Sequence, residues 1–247
     1  MPYLPYQISL ICLFALATGC FERESELGSD APSRGVREQS FTQQLEAVQN
    51  GLSDQVLLEE TAVSDSDLKQ FGNLPQLQVL LLDSEKNQLS DGAMENLANL
   101  SNLIHLRLRG ARVNDAGLTQ IAASLPNLRI LNLPHAQFSD RGLVELARLP
   151  KLEQLRFHSP QVTDAGIARL KEFPTLKRLH LIDVPITDAA LRELAQLPRL
   201  ESLYIDGANL SDAALEALFA ARPQLHVHLG QRHHDHDPKR GDHVHGE

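Results

Sequence analysis

The chain has 247 residues, of which 42% are hydrophobic and 22% are charged, so it can bury a core and is not disordered as a whole. Its formal net charge of −9 argues against a general nucleic-acid-binding protein, which needs a basic surface for phosphates. It has no Trp, three Tyr and eight Phe, so sugars and single-stranded nucleic acids find few rings to stack on. We therefore expect a folded protein whose partners do not include nucleic acid.

The first 20 residues predict an export signal. An uncharged, mostly apolar run at 8–17 is too short to span a bilayer and matches the apolar segment of a signal peptide. The run ends in Leu-Ala-Thr-Gly-Cys at 16–20, which resembles the lipobox of bacterial lipoproteins. That resemblance implies that Cys20 is acylated and anchors an exported protein to the membrane of the cell envelope. A plain signal peptide, leading to a secreted protein, is the alternative.

Two short segments precede the main part of the chain. Residues 21–40 are charged, contain Ser, Gly and Pro and nearly lack large aliphatic side chains, which predicts a flexible tether. From Phe41 to Gln49 the apolar spacing is helical, and Ser40 or Thr42 can cap the first turn. Residues 41–52 are therefore predicted to form an N-terminal capping helix.

From residue 53 the sequence repeats a unit of about 24 residues. The unit begins L-P-x-L-x-x-L-x-L, where the last two aliphatic positions are two residues apart and predict a short strand. Its second half has apolar residues three and four apart and predicts a helix. The repeats must stack, since one unit buries too few aliphatic side chains to offset its ordering entropy. The units open at Leu74, Leu100, Leu125, Leu149, Phe173 and Leu197.

These motifs resemble leucine-rich repeats of the ribonuclease-inhibitor-like type, and in style the bacterial repeats that read I-T-D-x-G-L-x-x-L. The resemblance implies an α/β horseshoe solenoid over residues 53–230, with about seven strand–helix repeats of 24–26 residues and a parallel concave sheet. The repeats depart from the common consensus at one position in the loop after each strand, where Asn or Cys is usual. We therefore expect backbone hydrogen bonds or water to hold these loops, and no ladder of polar side chains. The residues at that position are Ala111, Ala136, Pro160, Val184 and Ala208.

The most regular polar feature is an Asp that follows Ser, Thr or Asn at the start of each predicted helix. A calcium site is rejected, because no Gly-rich calcium loop separates these residues. A capping residue followed by an acid in the first turn satisfies free N–H groups and complements the helix dipole. The Asp residues are 65, 91, 115, 140, 164, 188 and 212.

The alternation of each strand places a second set of side chains on the face where leucine-rich-repeat proteins usually bind. Across the four central strands that set contains four Arg, three His and no acid, while Asp83 and Asp206 lie at the two ends. A basic groove in an acidic protein predicts a non-catalytic protein-recognition module with an acidic partner; a solvated face with Arg109 paired to Asp83 is the alternative. The candidate binding residues are His105, Arg107, Arg109, Asn132, Gln154, Arg156, His158, Arg178, His180 and Tyr204.

Residues 231–247 have almost nothing to pack and are predicted to be a disordered His/Asp-rich tail. Clustered imidazoles and carboxylates can bind zinc, nickel or copper(II), so a metal-binding envelope protein is an alternative function, against an appendage whose metal affinity is incidental. The candidate ligands are His233, His234, His236, His243 and His245. No other cofactor is expected.

Catalytic motifs are missing from the sequence. It contains no nucleophile elbow, no H-E-x-x-H and no Gly-rich phosphate loop, so we predict that the protein is not an enzyme. A second alternative, by analogy with eukaryotic F-box leucine-rich-repeat proteins, is a substrate-receptor subunit. Residues 21–52 are too short and too polar to form an F-box helix bundle.

Overall fold

The computed structural model describes residues 40–230 and the backbone of residues 232–233. The predicted export signal with Cys20 and most of the tether, residues 21–39, lie outside the described residues. So do His234, His236, His243 and His245 of the predicted tail. Among the helices that are described, none has the length and apolar character needed to cross a membrane.

Eight parallel strands and one short antiparallel strand form a single sheet in chain order. The parallel strands are β1 Gln55–Leu58, β2 Val79–Leu82, β3 His105–Leu108, β4 Ile130–Leu133, β5 Gln154–His158, β6 Arg178–Ile182, β7 Ser202–Asp206 and β8 His226–Leu229. The last strand, β9 Arg232–His233, pairs antiparallel with β8. This sheet confirms the predicted solenoid of parallel strands.

Helices alternate with the strands, after a first helix α1 at Phe41–Gln49. The others are α2 Asp65–Phe71, a 3₁₀ helix Asp91–Leu97, α3 Asp115–Ser124, α4 Asp140–Glu145, α5 Asp164–Ala168, α6 Asp188–Leu194 and α7 Asp212–Ala221. Short 3₁₀ turns extend α4 over Leu146–Arg148 and α5 over Arg169–Glu172. Each of the seven predicted repeats is therefore one strand and one helical segment.

The core is a continuous stack of aliphatic rows. Leu106 pairs in register with Leu131, and the row continues through the corresponding leucines of β5 to β7, all of them fully buried. Because each repeat contacts only its neighbours, the apolar side chains become buried only when the repeats are stacked. The alternate positions of every strand consequently lie on the opposite face of the sheet.

The first strand of the sheet is covered by α1. Ser40 caps this helix with a capping box that it shares with Gln43. The Gln44 side chain accepts a hydrogen bond from Leu57 N at 2.6 Å and donates one to Leu57 O at 2.7 Å. One amide thus satisfies both backbone groups of a residue at the sheet edge, which would otherwise be open to pairing with another chain.

The recurrent Asp residues link each repeat to the next one. Asp115 accepts hydrogen bonds from Ser139 N and Oγ, both at 2.7 Å, and Asp140 accepts the same pair from Thr163 at 2.7 Å. The same bond to the following capping residue recurs at Asp65, Asp91, Asp164 and Asp188. The capping role is confirmed at most helix starts, but the carboxylates also form an inter-repeat ladder.

This ladder explains the Gly that follows each Asp by two residues in several repeats. A Cβ at Gly142 would lie 2.3 Å from Asp115 Oδ1, and one at Gly166 would lie 2.1 Å from Asp140 Oδ1. The carboxylate of the preceding repeat therefore comes so close that Gly is favoured at these two positions.

Individual polar side chains hold the chain at other positions of the repeats. The buried Asn87 accepts from Val63 N at 2.8 Å and donates to Leu82 O and Arg109 O. At the opposite ends of the strands, Asn102 donates to Pro75 O at 2.9 Å and Asn127 donates to Ser101 O at 2.8 Å. These bonds use positions other than the one where the consensus has Asn or Cys, which carries Ala, Pro or Val in five repeats.

Candidate functional site on the strand face

All ten candidate residues lie on one face of the sheet or directly beyond a strand end. The first row runs His105, Ile130, Gln154, Arg178 and Ser202 in strand register. The second row runs Arg107, Asn132, Arg156, His180 and Tyr204 in the same register. A third row runs His158, Ile182 and Asp206 in strand register. Arg109 lies one residue after the end of β3.

Both rows extend further than the sequence interpretation took them. Gln55 and Leu57 precede them in β1, and His226 and His228 follow them in β8. The alternation His-Val-His-Leu at 226–229 carries the same period of two as the earlier strands and could have identified this last pair.

Carboxylates compensate the basic residues at the N-terminal end of the face. Asp83 Oδ1 lies 3.0 Å from Arg107 Nη2 and 3.4 Å from Arg109 Nη1, and Glu85 Oε1 lies 2.7 Å from Arg109 Nη2. The hydrogen bond that Arg109 donates to Glu85, with the charges of both acids, raises the pKa of Arg109 against the opposing effect of burial. The expected Arg109–Asp83 pair is thus present, and Asp83 also binds Arg107.

Two histidines near this end are neutral at pH 7. Burial, with a smaller contribution from the charge of Arg107, lowers the pKa of His105 to about 4. Burial also lowers the pKa of His135, whose Nδ1 accepts a hydrogen bond from Gly110 N at 3.1 Å. His105 therefore adds no positive charge to the face, contrary to a simple count of basic residues.

At the C-terminal end of the strand face, Asp206 binds His180 and the ring of Tyr204 stacks on His228. His180 Nε2 donates to Asp206 Oδ2 at 2.7 Å. That bond lowers the pKa of Asp206 despite its partial burial, and the charges of Arg156 and His228 act in the same direction. Tyr204 stacks on His228 with ring centroids 4.3 Å apart and 11° between the planes.

Two Arg–amide pairs occupy the middle of the face. Asn132 is the register partner of Arg156, and Gln154 is the register partner of Arg178. We call Asn132, Gln154, Arg156 and Arg178 the central quartet. The two amides are only 9% and 6% exposed, and within residues 40–230 neither Asn132 Oδ1 nor Gln154 Oε1 has a hydrogen-bond partner. A buried polar group without a partner costs about 1–3 kcal/mol.

Residues 124–147, about one repeat, match a family that is described as "Leucine Rich repeat". The fold is a leucine-rich-repeat solenoid. No curated protein sequence matches the chain. Among solved structures, an internalin (inlF) from Listeria monocytogenes str. 4b F2365 is 18% identical with a TM-score of 0.34, and the match covers 65% of this chain and 63% of the internalin.

The leucine-rich-repeat fold is typically a non-catalytic protein–protein interaction module, and no catalytic family is matched. The sheet face of this chain presents guanidinium donors and amide acceptors side by side.

Proposed function

We propose that the chain is an exported, membrane-anchored recognition module that binds an acidic protein through the central quartet. Cys20 would carry the lipid anchor, in keeping with the lipobox-like sequence that precedes it. The strand face of the repeat domain would be the contact surface. The protein would act by holding its partner, without chemistry of its own.

The observation that carries this proposal is the pair of buried amide oxygens beside two arginines. A partner segment with a carboxylate can accept hydrogen bonds from Arg156 or Arg178, and charge-assisted bonds of this kind are the strong ones. Its backbone or side-chain N–H groups can donate to Asn132 Oδ1 and Gln154 Oε1. An acidic peptide segment supplies both kinds of group, whereas a purely anionic ligand leaves the amide oxygens without donors.

The position of the quartet also favours recognition of a carboxylate. Arg107 and Arg109 are already bound to Asp83 and Glu85 at the N-terminal end. At the other end, Asp206 is bound to His180. The quartet itself places the guanidinium groups of Arg156 on β5 and of Arg178 on β6 beside the two buried amides, where a partner's acid could reach both.

The test uses a double variant, Arg156→Glu/Arg178→Glu, as bait in a pull-down from a detergent extract of the source cell. The milder Arg156→Gln/Arg178→Gln guards against misfolding, and Arg192→Glu/Arg199→Glu makes the same charge change at two exposed positions away from the face. Eluates are quantified by mass spectrometry, and the captured protein is then titrated in purified form. Circular dichroism verifies that each bait is folded.

We expect the native chain and the Arg192/Arg199 control to capture the same protein, and both quartet variants to weaken its binding at least about tenfold, or 1.4 kcal/mol. Equal capture by the quartet variants would move the contact elsewhere on the molecule. An equal loss of binding in the Arg192/Arg199 control would show that net charge alone accounts for the effect.

A further inference from the structure

The arginines of the strand face differ in what already binds them. Arg107 and Arg109 are bound by carboxylates at the N-terminal end, and the charge of Arg156 acts on Asp206. The side chain of Arg178 makes no hydrogen bond or ion pair with any residue that the structure describes. Its guanidinium group therefore keeps its full capacity to donate to a ligand.

Two buried polar side chains flank Arg178 in the first row of the face. Strand register places it beside Gln154 of β5 and Ser202 of β7, and neighbouring strands lie about 4.8 Å apart. Gln154 is 6% exposed and Ser202 is 9% exposed. Within residues 40–230, Gln154 Oε1 has no hydrogen-bond partner and the Ser202 hydroxyl makes no hydrogen bond. An amide acceptor, a guanidinium group and a hydroxyl thus lie side by side with unused bonding capacity.

We propose that Arg178 and Ser202 form a subsite for one carboxylate of a peptide segment, and that Gln154 Oε1 accepts a backbone N–H next to that carboxylate. A guanidinium group can bind both oxygens of a carboxylate through two parallel N–H bonds. The hydroxyl of Ser202 can donate a further bond. The subsite rests on the proposed function and narrows it, because it assigns the partner's acid to Arg178 and adds Ser202, which lies outside the central quartet.

The chemistry of the row favours a carboxylate over a phosphoryl group. Arg178 supplies one positive charge that no described acid compensates, which matches the single charge of a carboxylate. A phosphorylated side chain carries a charge of about −1.5 to −2 and three acceptor oxygens, so part of its charge would be unmatched. An acidic residue in a peptide also carries a backbone N–H close to its carboxylate, and that donor satisfies the buried Gln154 Oε1.

The test is an NMR titration of the isotope-labelled full chain with small probes. The main probe is N-acetyl-aspartic acid α-methylamide, which combines one carboxylate with two amide N–H groups. Three matched probes each change one feature: the corresponding asparagine compound has no charge, acetate has no N–H group, and inorganic phosphate has a higher charge. Binding is followed through the Nε–H resonance of Arg178 and the backbone amide resonances of Gln154 and Ser202.

Single substitutions assign the contacts. Arg178→Gln and Ser202→Ala each remove one proposed donor, and Arg156→Gln removes the other arginine of the central quartet. Arg199→Gln makes the same charge change at an exposed position away from the face. Circular dichroism verifies that each variant is folded.

We expect the aspartic acid probe to bind saturably and roughly two- to tenfold tighter than acetate, which is the usual effect of one neutral hydrogen bond. Bonds to a charged group are stronger, so Arg178→Gln should weaken binding at least about tenfold and Ser202→Ala at least about threefold. Arg156→Gln should have a smaller effect than Arg178→Gln, and Arg199→Gln should have none.

The proposal would be overturned if the Arg178 resonance did not shift, or if the asparagine compound or acetate bound equally well. Tighter binding of phosphate would also overturn it, as would native affinity in Arg178→Gln or Ser202→Ala. The protein captured in the pull-down separates this subsite from the proposed function. Loss of its binding with Arg156→Gln alone would overturn the subsite and leave the proposed function intact, whereas native binding in both single variants and in the double variant would overturn both.

Discussion

Replacing Asp115 by Ala separates two roles that the recurrent Asp combines. Asp115 begins α3 and binds Ser139 of the next repeat through two hydrogen bonds of 2.7 Å. Asp212 occupies the same position in α7, and among the described residues no hydrogen bond joins its carboxylate to a following repeat. Asp212→Ala therefore removes only the acid of the first helical turn, while Asp115→Ala also removes the link between repeats.

The expected magnitudes differ by severalfold. A hydrogen bond to a charged group contributes about 1.5–3 kcal/mol, and the partial exposure of Asp115 places its two bonds at the lower end. Their sum is about 3 kcal/mol. An acid near a helix N-terminus contributes about 0.3–1 kcal/mol. Asp115→Ala should thus lower the free energy of unfolding by about 3–4 kcal/mol, and Asp212→Ala by less than about 1 kcal/mol.

Asp115→Asn gives an intermediate case. The Asn oxygen can still accept the hydrogen bond from Ser139 N, while the charge and the carboxylate partner of Ser139 Oγ are lost. We expect about half the effect of the Ala variant. A loss of about 3 kcal/mol also lowers Tm by roughly 6–12 °C for a chain of this size.

The assay is urea unfolding followed by circular dichroism at 25 °C, with a thermal scan of each variant. Equal destabilisation by Asp115→Ala and Asp212→Ala would refute the ladder, because capping and the helix dipole would then account for both residues. A change below about 0.5 kcal/mol in Asp115→Ala would do the same, since it is the usual effect of a neutral surface substitution.

Two further predictions concern the strand face. Gln154→Leu should leave the free energy of unfolding unchanged or raise it by up to about 1 kcal/mol, because it removes a buried acceptor that has no partner among the described residues. The same variant should weaken partner binding in the titration of the captured protein described above. The second prediction concerns His105, whose pKa is about 4 in the folded chain. Between pH 6.5 and 4 the unfolded chain therefore binds a proton that the folded chain does not, and the free energy of unfolding falls by up to about 3 kcal/mol as the pH decreases. Urea unfolding at pH 7 and pH 4.5 should show a smaller loss in His105→Asn; an equal loss in both chains would assign the dependence to other groups.

The fold could be predicted from the sequence because its determinants are local and repeated. The period of about 24 residues, the paired aliphatic positions and the capping residues each recur in successive units. An error in one unit is corrected by the others. The eight parallel strands and their register follow from this repetition.

Contacts between repeats could not be read in the same way. The bond from Asp115 to Ser139 joins residues 24 positions apart, and the sequence shows only that both positions recur. The Gly at 142 was a clue, since its missing Cβ leaves room for that carboxylate. The interpretation assigned Asp115 to its own helix because a first-turn acid has a sufficient local reason to be there.

Charge on the face was harder to predict than position. Alternation within each strand placed Arg107 and His105 on the correct face, but their state depends on groups in neighbouring repeats. Arg107 is bound by Asp83 from the preceding strand end, and His105 is kept neutral by burial. A count of basic residues therefore overstates the positive charge of the groove.

Repetition itself helps to separate structure from function in this molecule. The polar side chains that recur, such as Asp115 and its counterparts, are bound to the next repeat. On the strand face the residue type changes from one repeat to the next, and the buried amides of Asn132 and Gln154 have no partner among the described residues. A group that stabilises the stack must be satisfied within it, whereas a group that recognises a partner must keep its bonding capacity. The two buried amides of the central quartet meet the second condition, and this supports our proposal that a partner binds there.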